Sequence, residues 1–355
     1  MSQPSMKTGA DKKSVSLFVP GVHLHDARQI RKLLGQQQPL GSLELLYSRA
    51  SFHRGNCKSP EHALFELFNL RSSKATELPV GALTRYLVKG DDANKCWTMR
   101  ADPVFIQPNR DHLVLMGNAG LELGYDQAQQ IINDINETYT DTPWELVALT
   151  PKQWVIEQQQ PEKLKTHRLP DVVGKNISEY LPQGINEKKW HALMNELQMI
   201  LHAHPVNQQR QMQGLPVVNS LWFWGAGELP VVSLDDDQRA FAQCWSNETV
   251  SLALARLNNV PRTNLPANGD IWLKQAITPG HHLLVIELLD SDQVKNDPLD
   301  WWQSLVEFDQ QWLSPLITAV KQNAIDQLQV IDVDGSRYQL TRNQARRWWK
   351  LSSRI

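Results

Sequence analysis

Asn207, Arg210 and Asn219, followed by Gly225 and Gly227, are the residues of this chain whose types and spacing best suit chemistry on a ligand. Planar amide and guanidinium donors match carboxylate or phosphate oxygens, and glycines let backbone amides approach an anion closely. His204 opens this stretch, HPVNQQRQMQGLPVVNSLWFWGAGELP, and Trp222 and Trp224 precede its glycines. Pro205 disfavours helical geometry at His204, so a helix must stop there, which places Asn207 and Arg210 on the loop that leaves it. Asn219 enters a strand that ends at Gly225-Ala226-Gly227. One reading makes His204, Asn207, Arg210, Asn219, Trp224, Gly225 and Gly227 the floor of a polar pocket for a small anion. The other makes Asn207 and Arg210 ties that hold a loop down. Trp222 and Trp224 share one strand face, where packing is the usual role.

Other polar groups have plainer readings. His202 and His204 are two apart at a helix end and do not share a side, which favours capping over chelation. His281 and His282 are adjacent and cannot readily share a metal. His191, Asn195, Gln198 and His202 form one polar stripe on a helix, either a solvated face or a cavity lining. Arg100, Asp102, Arg110 and Asp111 alternate in charge around prolines, as a salt-bridge cluster does. Gly117, Gly120 and Gly124 have the wrong spacing for a dinucleotide turn, and no GxxxxGK[ST], GxSxG or HExxH is present. No residue pair is marked as general acid and base, so no catalytic residue, metal ligand or cofactor is assigned. The end, TRNQARRWWKLSSRI, sets basic residues around Trp348 and Trp349. That combination suits single-stranded nucleic acid or docking of a last helix; the net charge of −2 favours docking.

The elements that must position these residues alternate between strand and helix patterns. Buried strands are expected at 15–19, 221–224 and 282–289, two strand-like runs within 96–116 divided by Pro108-Asn109, a short antiparallel pair within 144–156, and a hairpin at 328–340 around Asp334-Gly335. Helices are expected from Pro39 through SLELLYSRA, over Pro60–Leu70 with Ser59 as cap, and from Asp126. A further helix follows Asn186, with Trp190, Leu193, Met194, Leu197, Ile200 and Leu201 as its apolar stripe. Trp301, Leu305, Phe308 and Trp312 mark another, and Ser314-Pro315 kinks or restarts it. The expected fold is α/β, with a mixed, largely parallel central sheet flanked by helices. Residues 1–14 read as a polar tail without a signal-peptide core, and 15–355 as one domain with an insertion near 100–170. Residues 158–171 are the best excursion or boundary.

The chain has 355 residues, 21% charged and 41% hydrophobic, and no apolar run long enough for a membrane helix. Three cysteines without CxxC spacing fit free thiols in a reducing cytoplasm. The partners expected are a small anion or another protein, with no membrane and no nucleic acid.

The stretch His204…Arg210, Pro216…Asn219, Trp222-Phe223-Trp224-Gly225-Ala226-Gly227 resembles the archaeal-type cofactor-independent phosphoglycerate mutases of the alkaline-phosphatase-like superfamily. Here Pro216 is separated from Asn219 by Val217 and Val218, one residue more than in the mutase pattern. The order ADPVFIQPNRDHLVLM, NELQMILHAHPVNQQR, NSLWFWGAG is also similar to the RpfE-type bacterial proteins, a family called regulatory or, distantly, mutase-like. The resemblance implies a two-metal phosphoryl site built from scattered Asp and His. The turn after the first strand, Val19-Pro20-Gly21-Val22, carries no carboxylate where the superfamily has one. Asp290 and Asp292, and then Asp332, lack the His partners that pattern supplies. The expectation is a degenerate, non-catalytic binding or regulatory protein. The alternatives are an active mutase using Asp290, Asp292 and Asp332 with Arg210 on phosphate, and a nucleic-acid accessory protein.

Overall fold

The computed structural model describes residues 13–22, 31–32, 35, 40–70, 77–90, 96–232, 239–289 and 297–347. The chain forms two compact units, one from 1–71 and 232–355, the other from 72–231. The second unit is wider than the insertion expected at 100–170, and 158–171 lies inside it. The first strand begins at Lys13, within the stretch read as tail.

The first unit is built on a seven-stranded sheet. Lys13–Phe18 is central and pairs in parallel with Gly280–Val285 and Gln327–Ile331. Gln243–Trp245 and Arg262–Thr263 extend the parallel side. Arg337–Thr341 and Ser51–His53 complete the other edge antiparallel. Val15, Leu17, Leu284, Leu328 and Val330 share one face. Against it pack Leu43 and Leu46 of helix Gly41–Arg49, Trp301, Trp302, Leu305 and Phe308 of Pro298–Phe308, and Leu316 and Val320 of Ser314–Gln322. Each fully buried aliphatic side chain stabilises this layer by about 2 kcal/mol. Thus the α/β fold with a largely parallel sheet and flanking helices is observed, and Pro315 has the expected effect. Pro lacks an N–H and crowds the preceding turn, so Asp309–Leu313 adopts a π-turn before the helix resumes. The hairpin at Asp334-Gly335 has a longer connection than a two-residue turn, because Ile331 pairs with Arg337.

The second unit carries an antiparallel sheet, which the sequence pattern did not separate from the parallel one. Its backbone is the 13-residue strand Trp97–Asn109. The first part pairs with Gln153–Gln158 on one side and Ser220–Gly227 on the other; the last part forms a hairpin with His112–Gly117. Trp144–Thr150 pairs with Gln153–Gln158 as expected. Helix Val80–Lys89 lies close on the long strand because Gly81 allows it: a Cβ there would fall 2.9 Å from the Arg100 nitrogen. Helix Glu187–Ala203 buries Trp190, Leu193, Met194, Leu197 and Leu201 of the stripe read from the sequence, while Ile200 is half-buried. The helix Tyr125–Thr138 starts one residue before Asp126, with Gly124 as its cap, and Asp126 lies in its first turn, where the helix dipole favours a carboxylate.

Candidate functional site

The segment from His204 to Gly227 folds within the second unit. His204 ends helix Glu187–Ala203 and begins another, Pro205–Met212. Asn207 and Arg210 therefore stand on a helix and not on a loop. Pro205 stops the first helix by constraining His204, and it is also suited to the first position of the next. The His204 ring accepts from the Val206 N–H at 3.2 Å, the capping role read for it, and its Nε2 lies 3.0 Å from Asp134.

The donors of Asn207 and Asn219, and Nε and Nη1 of Arg210, are engaged by this chain, while Arg210 Nη2 is buried without a hydrogen-bond partner. Asn207 is buried; its Nδ2 donates to the Leu201 and Val218 carbonyls at 2.7 and 2.6 Å, and its Oδ1 accepts from the Val218 N–H at 2.9 Å. Arg210 is fully enclosed. Its Nε donates to the Pro216 carbonyl at 2.9 Å, and its Nη1 donates to the Glu122 carbonyl at 3.2 Å and to Gln127 Oε1 at 2.8 Å. Burial pushes the Arg210 pKa down. Asn219 uses its amide like a strand residue, giving and taking a bond of 2.7 Å with the Ile106 backbone.

Trp224 belongs to a buried charge cluster. Arg100 grips Asp102 through Nε at 3.0 Å and through Nη2 at 2.7 and 2.9 Å. Trp224 Nε1 donates to the same carboxylate at 2.8 Å, the Trp154 N–H at 3.3 Å, and the Arg100 guanidinium lies 5.1 Å from the centre of the Trp224 ring. The Gly225 amide does meet an anion, and it is Glu77 of the same unit, at 2.9 Å. Thr166 donates to the Glu77 carboxylate through both its hydroxyl and its N–H. Burial raises the Glu77 pKa against these donors. Gly225 has φ of +65°, and a Cβ there would lie 2.9 Å from the Val80 side chain, so only glycine fits.

The expected convergence of Asn207, Arg210 and Asn219 beside the glycines does not form. Ser220–Gly227 is one extended strand, so Asn219 and Gly225 are separated by roughly 20 Å at about 3.3 Å per residue. The strand also belongs to an antiparallel sheet, whereas the crevices of α/β folds form at the carboxyl ends of parallel strands. Of the polar stripe, His191 bonds the Pro182 carbonyl and Gln198 the Ser220 hydroxyl, while Asn195 and His202 are exposed. Sequence reading missed Glu77, and Thr84, whose hydroxyl accepts from Arg100 Nη1 at 3.3 Å; their only local signal is a polar residue near an apolar helix. Arg100 and Asp102, read as part of a salt-bridge cluster, do form a buried ion pair, while Arg110 and Asp111 sit on the exposed hairpin tip.

In the first unit, the turn after the central strand is apolar: Val19 and Val22 are fully buried, and Trp301 Nε1 donates to the Gly21 carbonyl at 2.8 Å. Asp332 is buried and takes the Val333 N–H at 2.7 Å. Asp290, Asp292, Trp348 and Trp349 lie outside the described residues. Among the described residues, no three His, Cys, Asp or Glu side chains are grouped to hold a cation. His281 and His282 face opposite sides of the sheet: His281 meets Ser16 at 2.8 Å, whereas His282 accepts from Trp245 at 3.1 Å and meets the Thr278 carbonyl at 2.9 Å.

Glu248 caps helix Thr249–Leu257, accepting from the Val250 and Ser251 amides at 2.7 and 2.6 Å. Burial, with Glu287 adding to it, pushes its pKa up from 4.5 to about 7. A raised folded pKa favours the protonated form, so this contribution is full below 4.5 and is lost as pH rises to about 7. Glu248→Gln keeps a capping oxygen and removes the titration. Relative to this variant, the parent chain is expected to gain stability between about pH 8 and about pH 5 in denaturant titrations; parallel curves would refute the assignment.

No family model matches the chain. Sixty of its residues are 38% identical to a probable 2,3-bisphosphoglycerate-independent phosphoglycerate mutase of Geobacter sulfurreducens and, likewise over 60, 40% to that of Methanosarcina barkeri. These matches cover 17% of this chain and 15% of each relative. A longer match, 26% over 156 residues, joins 43% of the chain to 36% of phosphoglycerate mutase 2 of Methanothermobacter thermautotrophicus. The sequence matches thus span well under half the length of these relatives. Among solved structures, PH0037 of Pyrococcus horikoshii superimposes over 93% of this chain and 88% of its own with a TM-score of 0.58 at 12% identity, a likeness of fold. The cofactor-independent phosphoglycerate mutase of Thermoplasma acidophilum gives a TM-score of 0.46 at 15% identity. The chain is distantly and partially similar to the cofactor-independent phosphoglycerate mutases.

Proposed function

We propose that this chain is a degenerate relative of the phosphoglycerate mutases that works by binding, as a regulatory protein of the RpfE type, and does not transfer phosphoryl groups. The observation that carries this reading is the turn Val19-Pro20-Gly21-Val22. In the metal-dependent enzymes that the sequence resembles, a carboxylate follows the first strand to hold a cation. Here two buried valines flank the turn, and Trp301 occupies the Gly21 carbonyl. The turn is an apolar packing element with no oxygen side chain to offer a metal. The polar motif in the second unit supports the same view, since Asn207, Arg210 and Asn219 serve the chain's own backbone. Such a protein would act in the cytoplasm with free thiols at Cys57, Cys96 and Cys244 and no cofactor. Among the described residues no helix is long and apolar enough to cross a membrane.

The test is elemental analysis and assay of the purified full-length chain after incubation with Mn²⁺, Mg²⁺ or Zn²⁺. The expected result is no interconversion of 2- and 3-phosphoglycerate and well under one tightly held metal per chain. About two bound metals per chain with turnover, as a two-metal phosphoryl site requires, would overturn the proposal.

A further inference from the structure

The second unit contains a cleft of about 590 Å³ that the mutase comparison leaves without a role. Its lining includes Arg85, Tyr139, Trp144, Glu145, Glu157 and Gln158. Gln158 lies on Gln153–Gln158, between Trp97 and Trp144 of the neighbouring strands, and it is 5% exposed. Its Nε2 donates to the Gln160 carbonyl at 2.6 Å. A carbonyl can only accept, so the amide cannot be reversed without setting two oxygens against each other. Gln158 Oε1 is thereby fixed as an acceptor, buried and without a hydrogen-bond partner. A buried acceptor left unpaired is costly, and a ligand that brings a donor relieves that cost.

The charges of the lining favour a cationic donor. Glu157 is paired with Arg85 at 2.7 Å and with Lys89 at 3.1 Å. Glu145 is exposed and has no ion pair among the described residues, so it is the carboxylate of the lining left for a cationic ligand. The Tyr139 and Trp144 rings, 5.0 Å apart, supply aromatic surface, and the Tyr139 hydroxyl is already spent on Glu196 at 2.8 Å. Aromatic faces attract cations, and an N–H-bearing cation also satisfies the amide oxygen.

We propose that this cleft binds a small aliphatic amine through a primary ammonium group that donates to Gln158 Oε1, with Glu145 supplying charge and Tyr139 and Trp144 supplying ring contact. The probe is putrescine, titrated into the full-length chain by calorimetry, with its hexamethylated bis-quaternary analogue as the control. The analogue has the same two charges and lacks the N–H. Putrescine is expected to bind one equivalent, and the analogue about tenfold more weakly or not at all. Gln158→Leu should weaken putrescine about tenfold, and the surface change Glu145→Gln about threefold. Because Gln158 is a sheet residue, folding of its variant is checked by circular dichroism; the comparison of the two cations needs no variant. Equal binding of both cations, no detectable putrescine binding, or full affinity in both variants would overturn the assignment.

Discussion

Asp102→Ala is expected to lower the stability of the 72–231 unit by about 3–5 kcal/mol, the usual cost of breaking a buried ion pair from one side. The carboxylate receives three contacts from Arg100, one from Trp224 and one from the Trp154 amide. Asp102 and Arg100 are both buried, so alanine leaves the guanidinium enclosed and uncompensated. It also frees the Trp224 indole N–H and the Trp154 amide, each another buried donor. Replacing both members, Arg100→Met with Asp102→Leu, removes the stranded charge and is expected to be less damaging than Asp102→Ala alone. Urea unfolding followed by tryptophan fluorescence measures both, since Trp154 and Trp224 report on the cluster. A loss below about 1 kcal/mol for Asp102→Ala would mean that water reaches the pair and screens it.

Periodicity made most elements legible because burial imposes it directly. The stripe from Trp190 to Leu201 is buried as spaced except at the half-buried Ile200, and the stop at His204 follows from Pro205. What the pattern could not show is which sheet a strand joins. Leu221 to Trp224 is apolar enough for a parallel core strand, yet it pairs antiparallel with Pro103 to Arg100, a partner more than 100 positions away. Local spacing carries no information about such a partner. The same limit explains the candidate site. The types of Asn207, Arg210 and Gly225 correctly marked places that need donors and close backbone approach. Their acceptors, Val218, Glu122 and Glu77, were invisible as partners because two of the three come from distant segments. Glu77 is the clearest case: a glycine amide open to an anion was read as a ligand site, and a carboxylate 148 positions earlier in the chain fills it.

Asn207→Ala is expected to cost about 3 kcal/mol, because it unpairs the Val218 N–H and the Leu201 and Val218 carbonyls where water cannot replace the amide. Arg210→Lys separates a clamp from an anion site. Lysine keeps the positive charge and loses the fork that serves Pro216 from Nε and both Glu122 and Gln127 from Nη1. If Arg210 braces the helix Pro205–Met212 against the segments before and after it, Arg210→Lys destabilises the parent fold by about 2 kcal/mol with or without phosphate. If Arg210 instead held an anion, about 10 mM inorganic phosphate would raise the melting temperature of the parent, and the lysine variant would lose most of that gain. The observed bonds favour the brace: Nε and Nη1 already hold three oxygens, and the side chain is fully enclosed. The one guanidinium nitrogen without a partner, Nη2, is itself buried, so a phosphate oxygen could reach it only if the enclosing segments opened. The expected outcome is therefore a lower melting temperature for both variants and equal, small phosphate shifts in all three proteins. A phosphate shift confined to the parent would restore the anion site and with it the reading of this motif as a remnant of phosphoryl recognition.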